Sequence, residues 1–434
     1  VPPIDRRIFL KQGALALLAL GLPPEFLTRP LLAATRGAAR KKTLICIFQR
    51  GAVDGLSMVV PFGERAYYRA RRSIAIPAPG QGGAGALDLD GFFGLHPALA
   101  PLLDLYRERE LAIVHAVGSP HPTRSHFEAQ DYMETAAPGD PRERSGWLNR
   151  LLEGGARASA GRTLADPAAH AADHTAALRG VALGPALPLA LRGAHPTLAI
   201  ADLDRFGVVG GRDPSLDATF ARLYQLEQGD DVTAAGKEAL DAVRFLKSAD
   251  LTRYRPREGV EYPQGAFGRS LRQIAQLIKA DVGVEVAFAD LGGWDTHVAQ
   301  GGVEGQLARR LSELARGIRA LHDDLGDRME DVVIMTMSEF GRTAAENGSG
   351  GTDHGHANCM LVLGGAVAGG RIVGEWPGLE PEQLHEGREL ALTTDFRDIF
   401  AEVAAGHLGA TNLDRIFPGY RLAANRRRGV LRRA

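Results

Sequence analysis

Five apolar runs of strand-forming residues, each closed by Gly, Ser or Asp within a few residues, constrain this chain most. They are Thr43-Leu44-Ile45-Cys46-Ile47-Phe48, Leu111 to Val117, Val284 to Ala289, Val332 to Met337 and Cys359 to Leu363. An uninterrupted apolar run suits a strand buried on both faces, as in a parallel sheet covered by helices. Between the third and fourth runs, Leu307, Leu311, Leu314, Ile318, Leu321 and Leu325 recur at spacings of four and three, which predicts an amphipathic helix. A second helix is expected from Phe267 to Lys279. Helix, strand, helix, strand in this order predicts an α/β fold with a mostly parallel central sheet and helices on both faces. Ligands in such folds bind at the carboxyl ends of the strands.

The chain of 434 residues is long enough for a large α/β domain with insertions, and its 51 basic and 52 acidic side chains nearly cancel. That balance argues against nucleic acid or an anionic membrane as partner. The N-terminus reads as an address. Arg6-Arg7-Ile8-Phe9-Leu10-Lys11 precedes an apolar stretch, Ala14 to Leu22, too short to span a bilayer, in the order of a twin-arginine export signal. Residues 1–39 are read as that signal, cleaved within Leu31 to Ala39, and 40–434 as an exported, periplasmic-type domain with no stable membrane span. Cys46 and Cys359 lie inside apolar runs and are read as free buried thiols, although export would permit a bridge. From about 153 to 263 the composition shifts. Ala156 to Ala177 reads as a connection, Val181 to Ile200 as short extended pieces, and Leu216 to Leu251 as largely helical, so this stretch is expected to be an insertion or cap.

Acids and histidines cluster where strands end. Asp295 and His297 follow the third run, Glu339 the fourth, and Asp353, His354 and His356 precede the fifth. Residues two apart in an extended loop project to one side, so Asp295 with His297, and His354 with His356, each suit one divalent metal. Asp54, six residues past Phe48, adds a carboxylate at the same sheet edge. Each acid alone has a plainer reading, as turn, cap or partner of Arg342. Four of the 13 histidines, His126 among them, fall in these loops, and the combination favours a metal. Zinc suits the histidines best, and a carboxylate-rich set would also accept Mn, Mg or Ca. Ser125 with Glu128 forms a capping box at the start of a helix through Met133, and a hydroxyl there is also placed as a nucleophile. His126 is a further metal or substrate contact and Arg124 a contact for an oxyanion.

Motifs spread over nearly the whole chain resemble those of one family. They are Arg50-Gly51-Ala52-Val53-Asp54-Gly55-Leu56, Ser125-His126-Phe127-Glu128-Ala129-Gln130, Ser145-Gly146-Trp147-Leu148-Asn149-Arg150 and Trp294-Asp295-Thr296-His297, then Ser338 to Thr343, Thr352 to His356 and Thr394-Asp395-Phe396-Arg397. Together they resemble the exported bacterial proteins of the DUF1501 family, themselves similar to the alkaline phosphatase and sulfatase superfamily. The motifs are specific to the family, not to a reaction. The resemblance implies an alkaline-phosphatase-like three-layer sandwich, a metal-binding Asp after the first strand, matched by Asp54, and a nucleophile after the second, matched by Ser125. It implies a first metal held by Asp295, His297 and either His354 or His356. It also implies a second metal at an adjacent Asp-His pair, where Glu339-Phe340 stands here. Phe binds no metal, so three readings stay open: a single metal, recruitment of His126 or Asp353, or lost hydrolysis. Cys46 to Arg50 has Phe48 where the formylglycine motif C-x-P-x-R requires Pro, which argues against sulfatase chemistry by that route.

Two functions are therefore expected. One is an exported metal-dependent hydrolase of phosphate or related esters, acting on a small-molecule or glycan ester, with Arg124 or Arg342 steadying developing charge. The other is a non-catalytic binding protein that keeps the fold and a structural metal.

Overall fold

The computed structural model describes residues 41–81, 84–160, 178–203 and 251–432, with 176 and 246. The signal-like segment 1–39, most of the connection over Ala156 to Ala177 and most of the helical stretch expected over Leu216 to Leu251 lie outside the described residues. In chain order the strands are β1 (Thr43–Arg50), β2 (Val59–Val60), β3 (Leu87–Asp88), β4 (Gly94–Leu95), β5 (Leu111–Gly118) and β6 (Gly180–Ala182). They continue with β7 (Leu198–Ala199), β8 (Val286–Gly292), β9 (Val332–Met337), β10 (Asn358–Gly364), β11 (Arg371–Val373) and β12 (Thr394–Asp395). The nine-stranded central sheet has the order β11-β5-β10-β9-β1-β8-β6-β7, with β12 also on β5, while β2, β4 and β3 form a small separate sheet. In the central sheet only β10 runs antiparallel, to both β5 and β9; the remaining pairings are parallel.

Alternate residues of the central strands enter two separate cores, which is why their apolar runs are unbroken. Ile45, Ile47, Ala287, Ala289 and Ile334 pack with the helices Ala266–Lys279 and Gln306–Leu325. The six periodic apolar residues of the second of these helices are all buried. Leu44, Cys46, Phe48, Val286, Phe288 and Met335 face the other way, against Trp147, Leu148, Phe396 and Phe400. Trp147 stacks on Phe400 at 4.6 Å between ring centroids. Each fully buried Leu, Ile or Phe stabilises the fold by about 1.5–3 kcal/mol, so the α/β sandwich of three layers is set by these two faces. The helices are named α1 (His126–Thr135), α2 (Trp147–Ala160), α3 (Ala266–Lys279), α4 (Gln306–Leu325) and α5 (Phe396–Gly406).

One expectation changes. Residues 180–199, read as part of a cap, contribute β6 and β7 to the central sheet beside β8. The loop before Cys359 lies at the same sheet edge as the other site loops. Because β10 runs antiparallel, its first residue Asn358 pairs with Val117 at the carboxyl end of β5. Cys46 and Cys359 are both free and buried, on β1 and β10, which β9 separates. Among the described residues no helix is long and apolar enough to cross a membrane.

Candidate metal centre

Four strand ends and one helix start deliver the centre. After β1 the chain turns at Gly51, whose φ of +114° and tight packing exclude a side chain: a Cβ there would lie 2.8 Å from the Asp295 backbone nitrogen. Gly51 N–H donates to Glu339 Oε1 at 2.8 Å, and its carbonyl accepts from Arg342 Nη2 at 2.6 Å. The loops after β1, β8 and β9 are thus tied together through backbone groups. The loop after β5 brings Arg124 and Ser125, and α1 opens on His126.

His126 Nε2, His354 Nε2 and Asp295 Oδ1 converge, and His297 Nε2 lies beside the last two. His354 Nε2 lies 3.0 Å from both His126 Nε2 and His297 Nε2. Asp295 Oδ1 lies 3.0 Å from His297 Nε2, 3.4 Å from His354 Nε2 and 3.6 Å from His126 Nε2. His354 and Asp295 thus form an edge that both other histidines approach. Zinc bonds of 2.0–2.1 Å in tetrahedral array put ligand atoms about 3.3 Å apart, inside this range.

The opposite ring nitrogens fix the tautomers. His126 Nδ1 bonds Glu339 at 2.8 Å, His297 Nδ1 bonds Asp353 at 2.9 Å, and His354 Nδ1 bonds the Arg124 carbonyl at 2.9 Å. Carboxylate and carbonyl acceptors require the proton on Nδ1, which turns the Nε2 lone pairs toward one another. Lone pairs 3.0 Å apart repel unless a proton or a cation lies among them. A second nitrogen donating to a carboxylate or carbonyl is also the habit of metal-bound histidine. Asp295, Glu339 and Asp353 outnumber Arg342 and Arg388 around the centre, an acidic excess that a divalent ion offsets.

Burial and hydrogen bonding tune these groups. Burial works to raise the Glu339 carboxyl, but bonds from His126, Gln130 and the Gly51 N–H outweigh it and hold it below the usual range. Asp295 is likewise held low against burial, by Arg342 and the neighbouring histidines. The Asn347 amide and His297 lower Asp353. The hydrogen bond to Glu339 raises His126, while burial and then His126 lower His354. The Glu339 side chain is 0 % exposed and that of Asp295 47 %, so the centre has a dry floor and an open mouth.

Several sequence-predicted residues lie elsewhere. Asp54 is not among the converging ligands: it is fully buried in a bidentate pair with Arg71, at 2.6 and 3.0 Å, and accepts from Gln300 Nε2 at 2.7 Å. A carboxylate so occupied has no lone pair facing the centre. His356 also departs, stacking on His385 instead, and burial pushes it down to about 4. The Arg124 guanidinium is engaged by Glu389 at 2.7 Å and Glu386 at 2.5 Å, so it holds no free fork for an oxyanion; its carbonyl is what reaches the centre. Ser125 is exposed at the N-cap of α1 but makes no side-chain cap bond, and Glu128 accepts from Thr123 Oγ1 at 2.6 Å, so the capping box does not form. Glu339 reaches the centre through His126 and not as one of the converging atoms.

Other residues complete the surround. Phe340, dismissed as a non-ligand, lies against the His126 and His354 rings at 4.9 and 5.0 Å between centroids. Gln130 donates to Glu339 at 2.9 Å and Asn347 to Asp353 at 3.0 Å. Gln300 Oε1 accepts from Thr296 and Thr352, both at 2.8 Å, and so couples the loops that carry His297 and Asp353. Gln130 stands in a quoted motif, but Asn347 and Gln300 lie in no pattern that marks them.

Fold and site define an α/β protein with a histidine and carboxylate cage at the carboxyl edge of a mostly parallel sheet. The chain belongs to DUF1501, a family described as proteins of unknown function, whose match covers residues 112–417. The motif around Gly51 and Asp54 thus precedes the matched region. No curated protein compared with the chain matches it. Among solved structures it is similar to the PsFucS1 sulfatase from Pseudoalteromonas sp., at 14 % identity and a TM-score of 0.40, covering 95 % of this chain and 78 % of that one. It is also similar to Ps i-CgsB in complex with k-i-k-neocarrahexaose, at 12 % identity and a TM-score of 0.38, covering 88 % and 75 %.

Proposed function

We propose that this chain is an exported metal-dependent hydrolase of phosphate or related esters, with His126, His354 and Asp295 holding a divalent ion of the zinc type and leaving one position open. The carrying observation is the convergence of His126, His354 and Asp295 ligand atoms while the Nδ1 of each of these two rings is committed to an acceptor. Bound there, the ion would supply Lewis acidity to an ester oxygen. The chain's own groups prepare the rest. Arg342 fixes Asp295, Glu339 and Asp353 fix two of the rings, and Phe340 walls off the floor. Ser125, exposed at the start of α1 and one residue from His126, is the side chain offered as nucleophile, with the helix N-terminus favouring an arriving anion. The Arg6-Arg7 segment supports export.

A second reading has its own observation. His297 stands 3.0 Å from both His354 and Asp295, so a four-donor set closed by His297 would be structural, without an open position. Elemental analysis of wild type, His126→Ala and His354→Ala, with a phosphate-ester and sulfate-ester panel on the same samples, separates the two. Metal near one equivalent per chain at this centre, with hydrolysis that vanishes in both variants and in Ser125→Ala, supports the hydrolase. Metal without hydrolysis supports the structural reading, and no metal after supplementation defeats both.

A further inference from the structure

We propose a second cation site, separate from the centre above, formed by His356, His385 and Glu389 and suited to a divalent transition metal that prefers imidazole, such as zinc. One ligand atom from each residue lies within 4.8 Å of the others. His356 and Glu389 are 8 % and 1 % exposed, and the two imidazoles stack at 4.4 Å with 20° between their planes.

Hydrogen bonding around this group is unfinished. His385 Nε2 is buried with no hydrogen-bond partner, and a Glu386 oxygen stands 3.9 Å away, beyond bonding reach. Among the described residues the His356 ring makes no hydrogen bond either. A buried polar nitrogen left unpaired is costly, and a cation shared with the His356 ring and a carboxylate would satisfy His385 Nε2 once the stacked rings turn their edges toward it. Glu389 has an oxygen to give: Arg124 Nε at 2.7 Å and Arg388 Nη2 at 2.8 Å both bond its Oε1. With two guanidiniums drawing on it, this carboxylate is a weak donor, so affinity rests on the imidazoles. That selects zinc-like ions over Mg or Ca. Glu386 on Arg124 balances the local charge, since two carboxylates then face two guanidiniums.

The site also touches the first centre. Arg388 Nη2 donates to the His354 carbonyl at 3.2 Å, and the Arg124 carbonyl holds His354 Nδ1. An ion on Glu389 would therefore brace the loop that presents His354.

The test is calorimetric titration of chelator-stripped full chain with zinc ions, with elemental analysis after dialysis, on wild type, His385→Ala, His385→Gln and His126→Ala. Thermal melts verify that each variant is folded. Two equivalents in wild type and one in each His385 variant are expected. One equivalent in wild type that persists in both His385 variants overturns this site and leaves the proposed centre standing. Two equivalents retained in the His385 variants also overturn it. A single equivalent lost with His385 but kept in His126→Ala supports this site and removes the other.

Discussion

Arg342 shows how one side chain can carry a site without itself being a ligand. Its guanidinium is buried and bonds the carbonyls of Gly51, Ala52, Trp294 and Thr352 as well as Asp295 Oδ1 at 2.6 Å. Only a planar fork can reach so many acceptors at once. Arg342→Lys should therefore weaken metal binding at the centre at least about tenfold and, by leaving buried carbonyls unpaired, destabilise the fold by about 1–3 kcal/mol. A competition titration and a urea melt read the two effects, and unchanged affinity would contradict the role. Asp54 teaches the converse. It sits in a family-like motif at a strand end, yet its partner Arg71 comes from 17 residues on and leaves it no free oxygen. Pairing of a buried acid is invisible in spacing alone. His356 stands apart from His354 for the same reason, because its neighbour His385 is remote in the chain and spacing does not show it.

At the scale of elements, the apolar runs were legible because burial on both faces leaves no polar residue in the pattern. All five became central strands, and the expected helices appeared as α3 and α4. Direction was not legible, since an apolar run reads alike both ways; the antiparallel β10 emerged only from pairing. Loops behave likewise. The loops after β8 and before β10 are held in register by Gln300, which bonds Asp54, Thr296 and Thr352 at once. Gln300→Leu should free these loops, lowering metal affinity at the centre about tenfold while the variant still folds. Affinity equal to wild type would show that backbone ties alone position them.

For the whole molecule, buried histidines away from the centre set an acid limit. Burial lowers His115 and His407 to about 4, and each Nε2 bonds a backbone carbonyl, of Val59 at 3.1 Å and of Thr43 at 3.0 Å. Unfolded histidine titrates near 6.5, so between about 6.5 and 4 the unfolded chain takes up protons that the folded one refuses. Their stabilisation is complete above the upper value and is lost as pH falls, by about 1.4 kcal/mol per unit for each ring. The urea midpoint of metal-free protein should thus drop from pH 7 to pH 4.5, and His115→Gln should flatten the slope. A midpoint independent of pH would refute the assignment.

The position of β1 bears on the order in which the molecule can be completed. β1 is the first strand of the described chain, yet it lies between β8 and β9 near the middle of the sheet, and Thr43 already bonds Val284, 241 residues later. During synthesis this segment therefore emerges 241 residues ahead of the Val284 carbonyl it bonds. Contacts of such long range close slowly. The cage, whose histidines span His126 to His354, can then form only after the chain through His354 has emerged.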